Sequence, residues 1–290
     1  MEIMTMKTAI ISIIIAIAII SCSQPQKEVV HTVCDTLQTV VRTDTGVFLR
    51  VTYRVNGLET SSELRRAKAG GKTEAFERTV FAYDTLGNKI LEIKSCFNAE
   101  KNDFVDVSKE EFEYDELNQA SLSTYYVERF GHWHPKQRIG RTFDSKGNPA
   151  TVEIYEPRFG DGWAIKDKTF YKYDAYNNVI EKTDFEADET GEWHPLSKFQ
   201  REYNRTDLVS EVVFEPAPGN KWKEKTKAEY EYNASHNCTK STSYVFKYGK
   251  WVNYVQAVYS FDASGNIQEC ETYFWNEKTG RWKLYETEEF

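Results

Sequence analysis

Gly131-His132-Trp133-His134 is where this sequence comes nearest to a metal-ligand pair. On an extended strand, His132 and His134 share a face and offer two imidazoles in need of a third ligand. His194 repeats the phase of His134 two repeat units later, about 19 Å away across four strand spacings of a flat sheet, too far to join them. His236 falls inside a turn motif and reads as a turn residue. The loops Gly160-Asp161-Gly162 and Ala187-Asp188-Glu189 are acidic, yet neither has the ligand spacing of a known calcium loop. No phosphate-binding glycine loop, nucleophile elbow or paired-carboxylate cleft can be picked out. The expectation is a chain with no metal, no cofactor and no catalysis.

The tryptophans carry the most specific pattern. Trp133, Trp163, Trp193, Trp222 and Trp251 share one phase with Phe104, ten residues before a second recurring aromatic, and Trp282 opens the last unit. Plates spaced along a sheet suit stacking on sugar rings, and the plain alternative is a packing spine. A basic column, Arg78, Lys109, Arg138, Lys168, Lys198 and Lys227, stands five residues before the same aromatic and is broken only by Gln256. It is expected on the face opposite the rings. Lys136 should lie across from Glu156 and Lys166 from Glu186, ordinary opposite-charge dressing for a solvated sheet.

These residues belong to a repeat. An aromatic followed by Asp-x-x-Gly-Asn, or a worn form of it, begins at Tyr83, Tyr114, Phe143, Tyr173, Tyr203, Tyr232 and Phe261, at intervals of 31, 29, 30, 30, 29 and 29. A step back reaches Tyr53. Trp251, Val255, Ala257, Tyr259 and Phe261 alternate as one face of a strand, and Asp, Asn and Gly supply the turn. A second strand ends in an aromatic at Tyr126, Tyr155, Phe185, Phe214, Tyr244 or Tyr273. Phe81, Phe112, Tyr171, Tyr230 and Tyr259 are expected to join the ring face. The predicted fold is all-β: an antiparallel meander of about eight hairpin repeats over residues 48–290, curled or spiral as a single sheet, an open roll or solenoid.

Tyr83-Asp84, Tyr173-Asp174 and Phe261-Asp262, with their Gly or Asn turns, resemble the YD-repeat (RHS) superfamily, whose units build a spiralling strip of β-hairpins. The resemblance covers most of Tyr53 to Phe290. The chain departs from it in a longer unit and in lacking the core-protease and toxin segments of large RHS proteins. It is more similar to small Gram-negative lipoproteins with degenerate YD repeats. A weaker likeness is to choline-binding repeats, whose units are shorter. These resemblances imply a fold more than an activity.

Ala9 to Ile20 is an uncharged apolar run preceded by Lys7, too short to span a bilayer comfortably and suited to a signal-peptide core. Ile19-Ile20-Ser21-Cys22 after it resembles a bacterial lipobox, which implies lipidation at Cys22. Residues 1–21 are expected to be a lipoprotein signal peptide and 22–47 a tether. Among the other cysteines, Cys238 and Cys270 should point to opposite faces beyond disulfide reach, and a Cys34–Cys96 pair is left open. A formal charge of −8 argues against nucleic acid as a partner. The expected protein is a non-catalytic lipoprotein of the cell envelope, attached to the membrane through its anchor and presenting a β-repeat surface to a protein or polysaccharide. The alternatives are a glycan binder using the Trp and Tyr rings, and a hydrolase.

Overall fold

The structure, a computed structural model, describes residues 34–43, 46–158, 160 and 162–290. Cys22 and the export segment lie outside the described residues. Among the described residues, eighteen strands follow one another as an antiparallel meander. They are β1 (Cys34–Thr43), β2 (Gly46–Val55), β3 (Leu58–Ala67), β4 (Thr73–Tyr83), β5 (Lys89–Asn98), β6 (Asp103–Tyr114), β7 (Ala120–Arg129), β8 (His132–Phe143) and β9 (Pro149–Pro157). β10 (Trp163–Tyr173), β11 (Val179–Ala187), β12 (Trp193–Asn204), β13 (Asp207–Ala217) and β14 (Lys221–Tyr232) continue the series. β15 (Cys238–Lys247), β16 (Lys250–Phe261), β17 (Ile267–Asn276) and β18 (Arg281–Glu289) complete it. The hairpins β2–β3 through β16–β17 are the eight repeat units. β1 lies inside the stretch expected to be a tether. Thr36, Thr39, Val40, Val41 and Thr43 make it rich in β-branched residues, and it pairs along its whole length with β2. Two compact units divide the chain, the described residues up to Glu113 with Ser123–Lys136, and Tyr114–Leu122 with Gln137–Phe290.

The turn motif explains most of the hairpins. Asp84 Oδ1 accepts from the Leu86 and Asn88 amides at 2.8 and 2.9 Å, and Asn88 Nδ2 donates to Asp84 Oδ2 at 2.8 Å. The same bonds recur at Asp144, Asp174 and Asp262, and Asn233 keeps the two backbone bonds. The fourth residue has positive φ, which is why it is Gly87, Gly147 or Gly265, or else Asn118, Asn177 or His236. His236 is therefore a turn residue. The motif tyrosine links successive units. Tyr83, Tyr173 and Tyr232 each donate their hydroxyl to a carbonyl 24 residues back, on Glu59, Pro149 and Leu208, at 2.7, 2.9 and 3.0 Å.

β-Bulges also recur at matching places along the repeat, which the alternation of residues does not announce. In the first strand, the ladder skips Phe76, Val107, Lys166, Leu196, Lys225, Tyr254 and Tyr285. In the second strand it skips Thr60, Ile90, Ala150, Ile180, Val209, Thr239 and Gln268, just past the turn. One extra residue reverses which side every later side chain occupies. Three expectations change as a result. Trp251 pairs with Phe246, whereas Val255, Ala257, Tyr259 and Phe261 fall on the opposite face, beyond the bulge at Tyr254. The basic column shares the face of the tryptophans. Cys238, opposite Tyr232, and Cys270, opposite Tyr259, share one face and are both free thiols, as are Cys34 and Cys96.

Candidate ligand-stacking surface

The site is built from three columns brought onto one face by the bulges. Four of the basic residues sit directly across their own hairpins from the terminal aromatic, Arg138 from Tyr155, Lys168 from Phe185, Lys198 from Phe214 and Lys227 from Tyr244, whereas Arg78 faces Ser95. Three of the column's cations also reach forward to the ring that opens the next unit. Arg78 lies 4.4 Å over Phe104, Lys109 5.5 Å over Trp133 and Arg138 4.5 Å over Trp163. The bridge spans two strand spacings, roughly 10 Å in a flat sheet, and it passes over the intervening strand. In the first such bridge that strand supplies Ser95, the most deeply buried of the described side chains. Cations above ring faces are attracted to the ring quadrupole. That attraction explains why lysines in this column are half-buried: Lys109 and Lys198 side chains are 16% and 17% exposed, against 67% for Lys172 off the column.

Carboxylates complete the arrangement. Glu153 accepts from Lys168 at 2.6 Å and from the Tyr155 hydroxyl, and Glu229 takes the same place between Lys227 and Tyr244. Hydrogen bonding to Glu153, with burial, pushes the Tyr155 hydroxyl up to about 12. Burial, with Glu229, does the same for Tyr244. Glu181 gathers Lys172, Lys198 and Gln200; these contacts outweigh its burial and bring it down to about 2. Where Gln256 interrupts the column, its amide donates to Thr242 at 3.1 Å. Lys166, itself a bulge residue, pairs with Glu156 at 2.8 Å rather than with Glu186.

The six predicted tryptophans are all half-buried. Trp133 and Trp163 are capped by the cations above. Trp222, Trp251 and Trp282 meet Phe185, Phe246 and Trp275 edge-on, at 6.1, 5.0 and 5.1 Å. Phe185 and Trp222 would stand about 14 Å apart across three strand spacings of a flat sheet, so in the second compact unit the sheet bends toward this face and the two rings lean together. Trp193 lies opposite Ala187 and has no ring or cation contact among the described residues. Its expected cation, Lys168, is turned instead to Glu153 and lies 5.2 Å from the Phe170 ring.

Sequence reading did not find the pairing around the loop before Trp193. Asp188 Oδ1 caps the Thr190 and Glu192 amides, and Oδ2 meets His194 Nε2 at 2.9 Å. Its carboxyl is held well below the usual range by His194 first and then Thr190. Asp188, Glu192 and His194 bring their ligating atoms within 4.8 Å of one another, all exposed. The turn grammar of Asp84 was the available signal, because Asp188 repeats its backbone bonds. His132 and His134 are exposed on β8. On the other face, the first compact unit has a polar hollow of about 210 Å³ over Ser62 and Thr79, rimmed by Arg50, Glu77 and Phe81. Sequence alternation could not show it, because it arises from short side chains meeting across β3 and β4.

No family model and no curated protein matches the chain. Among solved structures, a DUF3836 family protein from Bacteroides vulgatus is 22% identical, with 32% of this chain and 95% of that chain covered and a TM-score of 0.29. A porin-like protein from Bacteroides uniformis is 9% identical over 88% of this chain and 94% of that one, TM-score 0.30. A TcdB2-TccC3-Cdc42 structure is 9% identical over 88% of this chain and 15% of that one, TM-score 0.39. At these scores the likenesses are descriptive and transfer nothing to this chain.

Proposed function

We propose that the chain is a non-catalytic, lipid-anchored protein of the cell envelope, similar to the small YD-repeat lipoproteins, which presents its β-repeat surface to another macromolecule. One observation carries the reading: in each compact unit the cations on the ring face are engaged by that face's own rings and carboxylates. Lys109, Arg138, Lys168, Lys198 and Lys227 are each engaged with a ring or a carboxylate. A face whose charged groups satisfy one another is a stiff platform, whereas catalysis calls for an acid, base or nucleophile poised for a substrate. A pull-down from envelope extracts should recover a discrete partner, and recovery of nothing would count against the proposal. Labelled palmitate should enter the chain and fail to enter a Cys22→Ala variant. The net charge of −8 keeps nucleic acid out of the reading.

A second reading, glycan binding by ring stacking, is favoured by Trp193, whose ring carries no cap. Its fluorescence should shift with a polysaccharide, and Trp193→Phe should remove most of that shift. A broad polysaccharide panel that leaves the emission unchanged sinks this reading.

A further inference from the structure

Two inter-strand turns hold aromatic residues where the backbone is least suited to them. Phe130 and Gly131, between β7 and β8, have φ of 54° and 83°. Tyr248 and Gly249, between β15 and β16, have φ of 55° and 73°. Positive φ at both central residues is the two-residue hairpin turn that favours Asn-Gly, and Asn56-Gly57 between β2 and β3 fills the same geometry with that pair. A bulky side chain in the left-handed region is strained. Neither ring recovers that cost by packing: Phe130 is 96% exposed and Tyr248 94%.

The flanks are alike as well. Arg129-Phe130-Gly131-His132 and Lys247-Tyr248-Gly249-Lys250 each set the ring between a cation and a cation or imidazole, three residues ahead of a phase tryptophan. All eight of these residues are exposed. Glu128 at the base of the first turn accepts from the Gly131 amide, and Glu277 pairs with Lys247 at 3.1 Å, so Arg129 and Lys250 carry the outward positive charge. The sequence repeats the triplet once more at Arg158-Phe159-Gly160, where residue 159 lies outside the described residues.

We infer that Phe130 and Tyr248, each in its own compact unit, are separate docking tips for an anionic lipid surface. A protruding ring forms no pocket for a small molecule. An exposed ring between basic side chains does match the headgroup region of a membrane, where amphipathic rings and basic side chains both gain. The inference rests on the proposed envelope location. It adds that the domain touches the bilayer itself, independently of the acyl anchor.

The test uses the full chain in vesicles of phosphatidylcholine alone and of phosphatidylcholine mixed equally with phosphatidylglycerol. Amide exchange at residues 129–132 and 247–250 should slow severalfold in the anionic vesicles only, and high salt should reverse it. In the double variant Phe130→Asn, Tyr248→Asn the slowing should vanish while the melting temperature rises, because Asn accepts the turn geometry without strain. Equal exchange in both vesicle types, or slowing that survives the double variant, overturns the inference. So does a double variant that melts lower than the parent. Palmitate labelling reports the anchor separately, so loss of one result is distinguishable from loss of the other.

Discussion

Asp84 uses both carboxylate oxygens within its own turn, and so do Asp144 and Asp262. Their carboxyls sit below the ordinary 3.8, held down at Asp84 chiefly by the Asn88 side-chain amide and at Asp144 and Asp262 chiefly by the backbone amides of Asn148 and Asn266. With folded pKa values below unfolded ones, the unfolded chain binds the proton first. The stabilisation is complete above about 4 and is lost as pH falls through the depressed values. Thermal melts from pH 7 down to pH 2 should therefore show falling stability at the acid end, where Glu181 contributes in the same sense. Replacing the three aspartates by Asn should flatten part of that slope, since Asn233 already caps its turn without a titrating group. At the alkaline end the sign reverses. Tyr155 and Tyr244 are raised to about 12, so stability should fall as pH climbs from about 10 to 12, and absorbance titration should show a late phenolate step lost in a Tyr155→Phe, Tyr244→Phe variant.

At the scale of the strand pair, the bulge decides which columns meet. Arg138 reaches Trp163 only because both stand on one face, and Arg138→Ala should cost about 1–2 kcal/mol, read by denaturant unfolding together with a shift in tryptophan emission. Deleting Tyr254 should be far more damaging than replacing it with Thr. The deletion removes the extra residue and turns Trp251 away from Phe246, whereas Thr keeps the bulge; near-ultraviolet dichroism of the Trp region separates the two. Turns, strands and period were all legible in the sequence, because Asp-x-x-Gly-Asn and the spaced aromatics encode them in residue type. The faces were not. The skipped positions are occupied by Phe76, Val107, Lys166, Leu196, Lys225, Tyr254 and Tyr285, which have no chemistry in common. A residue is bulged by its partner strand's register, which no single residue records. Rings and cations were therefore assigned to opposite faces on a count of two that the backbone breaks at these bulges. The cysteines were misplaced for the same reason. Trp193, the best stacking candidate, could be named from its phase, but its uncapped state depends on Lys168 turning to Glu153, which spacing does not show.

Across the whole molecule, strand contacts run mainly between neighbours in chain order, so stability should behave as a sum of units and their neighbours. Removing residues 193–221, one full period, joins Glu192 to Trp222 in phase, and the product should keep its strand signature by far-ultraviolet dichroism and melt at a lower temperature. The recurring bulges give this a broader meaning. Because each hairpin restores its own register, a longer or shorter loop in one unit is not passed to the next; the intervals of 29 to 31 residues are independent deviations and do not accumulate as drift. Such an array counts in whole units. It can gain or lose a period at modest cost, and it can vary its loops freely, while the loss of a single residue inside a strand is the change it cannot absorb.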